Sequence, residues 1–317
     1  MPWTIIMRKV CLDSVHRLAR RDSRVVFIGS DLGPEVMKGM KEEFPQRFFM
    51  EGISEANVIG MAAGMAMDGF IPYVNTIATF ITRRAFEQVA LDLCLHRLPV
   101  RLIGNGGGVV YAPLGPTHLA VDDFALMRAL PNMAVMAVSD AEEMGRLMEQ
   151  TLDWPDPIYI RLAKGGDKII SKEENGFAIG KAIPMRMASV ADPVLFVTTG
   201  VMTTNTLEAA ESLAAKGIDS TVLHFHTIKP LDVTALLAHV AGAKAVISVE
   251  EHTRIGGFGS AVLEALTDNL TTIPPVKRLG LSDAFSKHYG NQNDLFEVNG
   301  LMPQQIAETA ERFLNQL

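Results

Sequence analysis

Three features of the sequence place groups that could do chemistry beside glycine-containing turns: Glu55, His118 and the stretch GNGGG at 104–108. Glu55 opens an apolar, helix-like segment, so its carboxylate is either a cap favoured by the helix dipole or a group that moves protons. His118 ends the motif GPTH, where an imidazole can occupy an ordinary turn or exchange protons with a substrate. The glycines suit either a close backbone approach or an anion-binding loop. Each pattern alone leaves both interpretations open.

The elements that must position these residues alternate along the chain between strand-like apolar runs and helical patterns. This alternation predicts parallel sheets with helices on both faces. A helix is predicted over 4–21 and a strand at 25–29. The helix that Glu55 opens carries Gly60 and Gly64 on one face, and small residues at that spacing predict close packing against a neighbour. The fold class is therefore predicted to be α/β.

A change of character divides the chain in two. Residues 166–191 include GDK, SKEENG and a methionine-rich run, and their hydrophobic residues show no sustained periodicity. Such a segment is typical of a connection between domains. A second alternating pattern follows. The sequence thus predicts two doubly wound domains, at 1–165 and 192–317.

The composition narrows the class of protein. The 317 residues are 48% hydrophobic and 21% charged with a net charge of −7, which is typical of a globular protein and argues against a nucleic-acid binder. The isolated cysteines Cys11 and Cys94 fit a reducing compartment. The sequence shows neither a signal peptide nor the roughly 18-residue apolar run of a membrane span. We expect a cytoplasmic protein without membrane or nucleic-acid partners.

Several motifs occur in the order in which one enzyme family has them. They are EFPQRFFMEGISEANVIGMAAGMAMDGFIPYVNTIATF at 43–80, GPTH at 115–118, HFHTIKPLD at 224–232 and VISVEEHTRIGGFGSAV at 246–262. Together they resemble the pyrimidine-binding and C-terminal domains of transketolases, which use thiamine diphosphate, and those of deoxyxylulose-phosphate synthases. The resemblance covers nearly the whole chain, and several motifs in register are more specific than any one of them.

The resemblance implies functional roles for matching residues. Glu55 matches the buried glutamate that hydrogen-bonds the cofactor's aminopyrimidine and so assists loss of the thiazolium proton. Phe80 matches the aromatic residue that stacks on the same ring. His118 matches the histidine that faces the substrate carbonyl and can donate to the developing alkoxide. Asp31 and Leu32, in GSDLGP, resemble a cofactor-contacting Asp-Leu element, although the match lacks one residue.

Departures from the family pattern concern the substrate. Leu114 and Gly106 stand where transketolases have a hydroxyl-reading aspartate and a phosphate-side histidine, and Glu35 replaces a phosphate-contacting serine. Lys164 matches the phosphate-binding arginine and Arg8 another basic position. Lysine holds an anion as a point charge, without the two-pronged geometry of arginine. Ketol transfer is therefore expected for a sugar that differs from the usual pentose phosphates, such as an unusual or branched ketose.

The resemblance also implies a partner. Family members have a further domain that binds the diphosphate through a magnesium ion. The Gly-Asp-Gly motif of that domain does not occur in this sequence. We expect a separate N-terminal subunit that carries the diphosphate and magnesium site, in a heterotetramer with two copies of each chain. No metal site is predicted in this chain, because Glu250, Glu251 and His252 are adjacent on a predicted strand and adjacent residues point to opposite faces. His224 and His226 share a strand face but lack a third ligand.

Three other functions are open on the sequence. One is a condensation like that of deoxyxylulose-phosphate synthase, which releases carbon dioxide. A second is the beta subunit of a 2-oxoacid dehydrogenase, with which the GPTH loop agrees poorly. A third is a noncatalytic scaffold, against which the joint presence of Glu55, Phe80 and His118 argues, since packing does not demand a carboxylate at that position.

Overall fold

The computed structural model describes residues 6–30, 37–163 and 166–317. They form two layered α/β halves, each built around one sheet, which confirms the predicted fold class. In the N-terminal half the strands are β1 (Val25–Gly29), β2 (Phe48–Met50), β3 (Ile71–Ile77), β4 (Arg101–Asn105), β5 (Ala134–Ala137) and β6 (Ile158–Leu162). The helices are α1 (Met7–Arg21), α2 (Lys38–Glu43), α3 (Glu55–Met67), α4 (Phe86–Gln88), α5 (Asp123–Ala129) and α6 (Ala141–Thr151).

The sheet of the N-terminal half has the order β10-β5-β6-β4-β3-β1-β2, in which β10 (Thr227–Lys229) comes from later in the chain. Strands β1 to β6 all pair in parallel. Strands β1, β4 and β6 are mainly apolar and buried along their whole length, as in a sheet that helices cover on both sides. Helices α1 and α6 share the core on one face, and α3, α5 and the helical segment 80–95 share the core on the other. The sheet therefore brings the ends of β1, β3 and β4 to one edge.

The C-terminal half contains a second sheet with the order β12-β11-β8-β9-β7. Its strands are β7 (Ile183–Arg186), β8 (Val194–Thr198), β9 (Ser220–His224), β11 (Ala245–Thr253) and β12 (Val276–Leu281). The helices are α7 (Met202–Ala214), α8 (Val233–Val240), α9 (Phe258–Asn269), α10 (Gln292–Val298) and α11 (Pro303–Leu314).

Two further strands show how the halves are connected. Strand β7 lies within 166–191 and pairs antiparallel with β9, so that this segment is partly a sheet edge. Strand β10 (Thr227–Lys229) leaves the C-terminal half and pairs antiparallel with β5 at the edge of the first sheet. The Lys229 ammonium also donates to the carbonyls of Arg128 and Leu130. The sheets are thus tied together by main-chain pairing as well as by packing.

The described ranges lack two kinds of feature. No helix there is both long and apolar enough to cross a membrane. The same residues include no group of three or more histidine, cysteine, aspartate or glutamate side chains placed to hold a metal ion.

Candidate active site

Glu55 is the first residue of α3, directly after Ser54. Its position in the first turn favours a carboxylate through the helix dipole. Its side chain is only 3% exposed, which is unusual for a glutamate and requires a partner. That partner is Arg84, whose Nη1 donates to Glu55 Oε2 at 2.8 Å.

The expected packing of α3 through its glycine face was wrong for this chain. Gly60 and Gly64 are exposed, and no atom of the described residues lies within 4 Å of where a Cβ would stand on either of them. The opposite face, with Val58, Ile59 and Ala62, packs into the core instead. Apolar side chains on that face gain more by burial than the bare glycine face does.

Phe80 begins a π-helical turn, Phe80–Arg84, that follows β3 at the edge where the strand ends. π-Helical turns are wide and often occur at functional sites. The ring of Phe80 is half-buried. The guanidinium carbon of Arg84 lies 4.4 Å from its centroid, a cation–π distance. A flat group that bears N–H donors therefore fits against Phe80 and Glu55 at the same time.

His118 approaches the same aromatic ring from its edge. The two ring centroids are 5.3 Å apart with an interplanar angle of 64°. His118 Nδ1 lies 2.9 Å from the Thr117 hydroxyl, and the His118 N–H donates to the Gly115 carbonyl to close the turn. The imidazole is half-buried, and its Nε2 makes no hydrogen bond within the described residues. It is therefore able to exchange a proton with a bound molecule.

The structure brings together three of the residues that the sequence singled out. Glu55, Phe80 and His118 form a chain of contacts, in which Arg84 joins the carboxylate to the aromatic ring. Arg84 was missed from the sequence, where the only signal was a pair of adjacent arginines soon after Phe80.

Of the remaining expected site residues, only Arg8 lies within the described part of the chain. Asp31, Leu32, Glu35 and Lys164 lie outside the described residues. Arg8 lies on α1, where its charge acts on the phenol of Tyr111, and no contact in the described part of the chain links it to the three residues above. Burial raises the pKa of Tyr111, and Arg8 opposes that effect.

The glycine-rich stretch serves a contact between the two halves. A Cβ on Gly107 would meet the Arg161 side chain at 2.2 Å, and one on Gly108 would meet Glu251 at 2.3 Å. The following N–H, of Val109, donates to Glu251 Oε1 at 2.8 Å. The loop therefore binds a carboxylate of the same chain, and its glycines permit the close approach of two large side chains.

Arg161 is the centre of this sealed contact, which we call the interdomain cluster: Asp123, Tyr159, Arg161, Glu250, Glu251 and His252. The Arg161 guanidinium lies 3.1 Å from Asp123 Oδ2 and donates to the carbonyls of Ala120 and Glu251. Tyr159 donates its hydroxyl to Asp123 at 2.8 Å. All six side chains are buried.

Burial controls the titration of the interdomain cluster. It raises the pKa of Glu250 and of Glu251 to about 7, and it lowers the pKa of His252 to about 3. Glu250 accepts from the N–H groups of Phe258 and Gly259 at the start of α9, whereas Glu251 faces the glycine loop. The two carboxyls thus point to opposite sides of β11, as the sequence argument against a shared metal site requires.

His224 and His226 belong to a second buried contact. His224 Nε2 lies 3.0 Å from Glu143 Oε2, and both side chains are fully buried. His226 stacks on Phe177 at a centroid distance of 4.1 Å, and burial lowers its pKa to about 4. Both histidines therefore contribute to the packing of the two halves.

Comparison with known families accounts for this architecture. Residues 4–166 match the transketolase pyrimidine-binding domain, and residues 185–306 match the transketolase C-terminal domain. The 6-deoxy-6-sulfo-D-fructose transketolase subunit SqwH of Clostridium sp. (strain MSTE9) is 34% identical over 96% of this chain and 93% of its own length. One of the subunits of the apulose-4-phosphate transketolase of Phocaeicola vulgatus is 32% identical over 98% of both chains.

A longer relative and a solved structure complete the comparison. 1-Deoxy-D-xylulose-5-phosphate synthase 1 of Geobacter sulfurreducens is 36% identical over 95% of this chain, which spans only 47% of that protein. A split-gene transketolase, solved as an inactive beta4 tetramer, superposes with a TM-score of 0.89 at 32% identity and covers 98% of this chain and 99% of its own. The chain belongs to the transketolase family, of which it comprises the pyrimidine-binding and C-terminal domains.

Proposed function

We propose that this chain is the C-terminal subunit of a two-subunit transketolase, which transfers a two-carbon ketol unit from a ketose to an aldose with thiamine diphosphate. The observation that carries the proposal is the contact chain from Glu55 through Phe80 to His118 at the edge where β3 ends. Ligands of such sheets bind at the carboxyl ends of the strands. The two relatives of matching length are themselves named as transketolase subunits.

Some residues of this chain would contact the cofactor, and others would contact the substrate. When bound, thiamine diphosphate supplies the nucleophilic carbon that takes up the two-carbon unit. Glu55 would hold the edge of the aminopyrimidine and exchange a proton with it, and Phe80 would stack on its face. His118 would donate to the substrate oxygen and return the proton. Asp31 and Leu32 would add cofactor contacts from the end of β1.

The partner subunit supplies the other half of the proposed site. It would be an N-terminal transketolase-like chain that holds the diphosphate through magnesium, in a cytoplasmic heterotetramer with two copies of each subunit. The solved neighbour supports this arrangement, because its beta chains alone form a tetramer that is inactive. We therefore expect this chain alone to be inactive too.

The proposed substrate is a ketose with a terminal anion, distinct from the usual pentose phosphates. Leu114 is exposed beside the His118 turn and offers no hydrogen bond from its side chain. Gly106 is covered by the Tyr111 ring, which leaves no room there for a side chain. Lys164 and Arg8 remain as the proposed anion-binding residues. The relatives named for a sulfo sugar and for apulose 4-phosphate make these two ketoses the first candidates.

The test is reconstitution with a chain that carries the missing diphosphate motif, encoded by a neighbouring gene. The pair would be assayed with 6-deoxy-6-sulfofructose, apulose 4-phosphate and a common ketose phosphate, each with an aldose acceptor. Ketol transfer that needs both chains supports the proposal. A parallel assay would supply a 2-oxoacid with an aldehyde or with an electron acceptor. Carbon dioxide release that needs the aldehyde and reduces no acceptor would favour the synthase-like condensation, whereas carbon dioxide release coupled to reduction of the acceptor would favour the dehydrogenase subunit. The absence of all three reactions would favour a noncatalytic scaffold.

A further inference from the structure

Arg84 satisfies two groups at once in the candidate active site. Its Nη1 donates to Glu55 Oε2 at 2.8 Å, and its guanidinium carbon lies 4.4 Å from the centroid of the Phe80 ring. Glu55 is 3% exposed, whereas the Arg84 side chain is 48% exposed. A buried carboxylate is thus capped by a cation that reaches it from solvent, and such charge-assisted bonds are stronger than neutral ones.

These two contacts are the ones that the proposed function assigns to the cofactor. The aminopyrimidine is a flat ring with nitrogen atoms at its edge, and it needs one face of Phe80 and the carboxyl of Glu55. The guanidinium is also flat and bears N–H donors at its edge. His118 already occupies an edge of Phe80. Two flat groups cannot lie on the same face of one ring at the same time, so the guanidinium and an aminopyrimidine on that face of Phe80 exclude each other.

The surroundings of Arg84 allow it to leave. Its partners in the described residues are Glu55 and Phe80, and its long side chain lies half in solvent. The preceding residue shows the contrast: Arg83 is held by two bonds to Asp122, with Nε–O distances of 2.9 and 3.0 Å. Both arginines belong to the π-helical turn that Phe80 begins. Only one of them reaches into the site.

We propose that Arg84 closes the aminopyrimidine site of the unassembled subunit and withdraws when the cofactor binds. This inference rests on the proposed function of Glu55 and Phe80. While the subunit is alone, Arg84 gives a buried carboxylate its counterion, because an unpaired buried charge would be costly. During assembly the aminopyrimidine displaces the guanidinium from both contacts. Arg84 therefore weakens cofactor binding and acts as a competitor for the site.

The test uses the full chain without its partner and the free pyrimidine half of the cofactor, 4-amino-5-hydroxymethyl-2-methylpyrimidine, with affinity measured by NMR titration. We expect Arg84→Met, which keeps the aliphatic stem, to bind this probe at least about tenfold more tightly than the wild type, the low end of what a hydrogen bond to a charged group contributes. Arg84→Lys, which keeps the charge without the flat group, should fall between them. Arg83→Met is the matched control and should bind as the wild type does.

The outcomes separate this inference from the proposed function. Equal or weaker binding by Arg84→Met would overturn the competitor role, because it would make Arg84 inert or a part of the binding wall. If that binding were still abolished by Phe80→Ala, the aminopyrimidine site itself would stand. Absence of binding in every variant would also overturn the competitor role, because removal of Arg84 would then open no site. The proposed function is decided separately, by ketol transfer in the reconstituted pair. A crystal structure of the wild-type chain with the probe gives an independent readout: the guanidinium should have left Phe80 and Glu55.

Discussion

The candidate active site and the interdomain cluster contain the same kinds of side chain in opposite settings. In the first, Glu55, Arg84 and His118 lie at an open edge of the sheet, and Arg84 reaches its partners from solvent. In the second, Arg161 and Glu251 are enclosed, and each has a backbone partner in the other half. The same kinds of side chain would therefore bind a ligand in the proposed active site, whereas in the interdomain cluster they hold the two halves together.

This difference limits what a shifted pKa indicates about the function of a carboxyl group. Carboxyl pKa values of about 7 belong to Glu250 and Glu251, in the sealed contact. Such shifts are often taken as marks of catalytic groups, but desolvation alone produces them in any buried contact. In this protein the two regions are separated by the exposure of the arginine side chain, which is 48% for Arg84 and 8% for Arg161.

The largest effect is expected on turnover when the carboxyl of the candidate active site is altered. Glu55→Gln should lower kcat of the reconstituted enzyme by a factor of about 100 to 10,000, because an amide cannot carry the proton of an acid–base group. The subunit should keep its fold and its partner. Steady-state kinetics and size-exclusion chromatography measure both properties.

Glu142→Gln is the matched control for that change. Glu142 is also a first-turn glutamate, on α6, but its side chain is exposed. Its substitution should leave turnover unchanged. Near-normal turnover of Glu55→Gln would remove Glu55 from the mechanism and leave the open region without its proposed role.

The next effect is expected on stability when the sealed contact is broken. Arg161→Met leaves Asp123 buried without its cation, and removal of one member of a buried ion pair typically costs about 3–5 kcal/mol of unfolding free energy. Urea denaturation at a fixed protein concentration measures it. Arg97→Met, which breaks an exposed pair with Asp156, should cost no more than about 1 kcal/mol. Equal costs for the two variants would contradict the distinction between sealed and open regions.

A pH dependence of comparable or smaller size is expected from Glu251. Burial raises its pKa in the folded chain from 4.5 to about 7. Between these values the unfolded chain releases the proton and the folded chain keeps it, so the contribution to stability is full below pH 4.5 and is lost as the pH rises through 7. Relative to Glu251→Gln, the wild type should therefore lose up to about 3 kcal/mol between pH 4.5 and 8.

Unfolding curves of both proteins at several pH values test this. Glu308→Gln, on the exposed side of α11, provides the control and should differ from the wild type by the same amount at every pH. A constant difference for Glu251→Gln as well would show that the carboxyl is ionised in the folded chain, and the sealed contact would then resemble the open one.

The smallest effect is expected from the aromatic platform. Phe80→Leu keeps an apolar side chain but loses stacking worth about 0.5–1.5 kcal/mol, so the apparent Kd for thiamine diphosphate of the reconstituted enzyme should rise by roughly two- to twelvefold. Phe44→Leu changes a ring of similar half-burial that packs on Arg47 and should leave the Kd unchanged. A rise for both variants would point to general loosening of the fold.

The sequence predicted those parts of the molecule that depend on local pattern. The strand at 25–29 appears at the expected residues because continuous apolar runs are typical of a doubly covered parallel sheet. The position of Glu55 at a helix start follows from the same local signals. The opposite faces of Glu250 and Glu251 follow from strand geometry alone.

The remainder depends on contacts between distant residues. The role of Arg84 requires the π-helical turn that brings it over Phe80, and a pair of adjacent arginines does not predict that turn. The glycines of GNGGG left two interpretations open until Arg161 and Glu251 were seen against them. Strand β7 lies in a segment without periodicity and forms only because β9 offers it a partner. For Gly60 and Gly64 the opposite holds. The helix was predicted correctly, but the face that carries these glycines does not pack against the core.

Strand β10 has a consequence for how the protein is made. During synthesis β5 emerges from the ribosome long before residues 227–229, and until they arrive it is the unpaired edge of the first sheet. Unpaired edges invite pairing with other chains. The first sheet of the nascent chain therefore stays incomplete until β10 has been synthesised. A fragment that ends before β10 should aggregate when it is expressed alone.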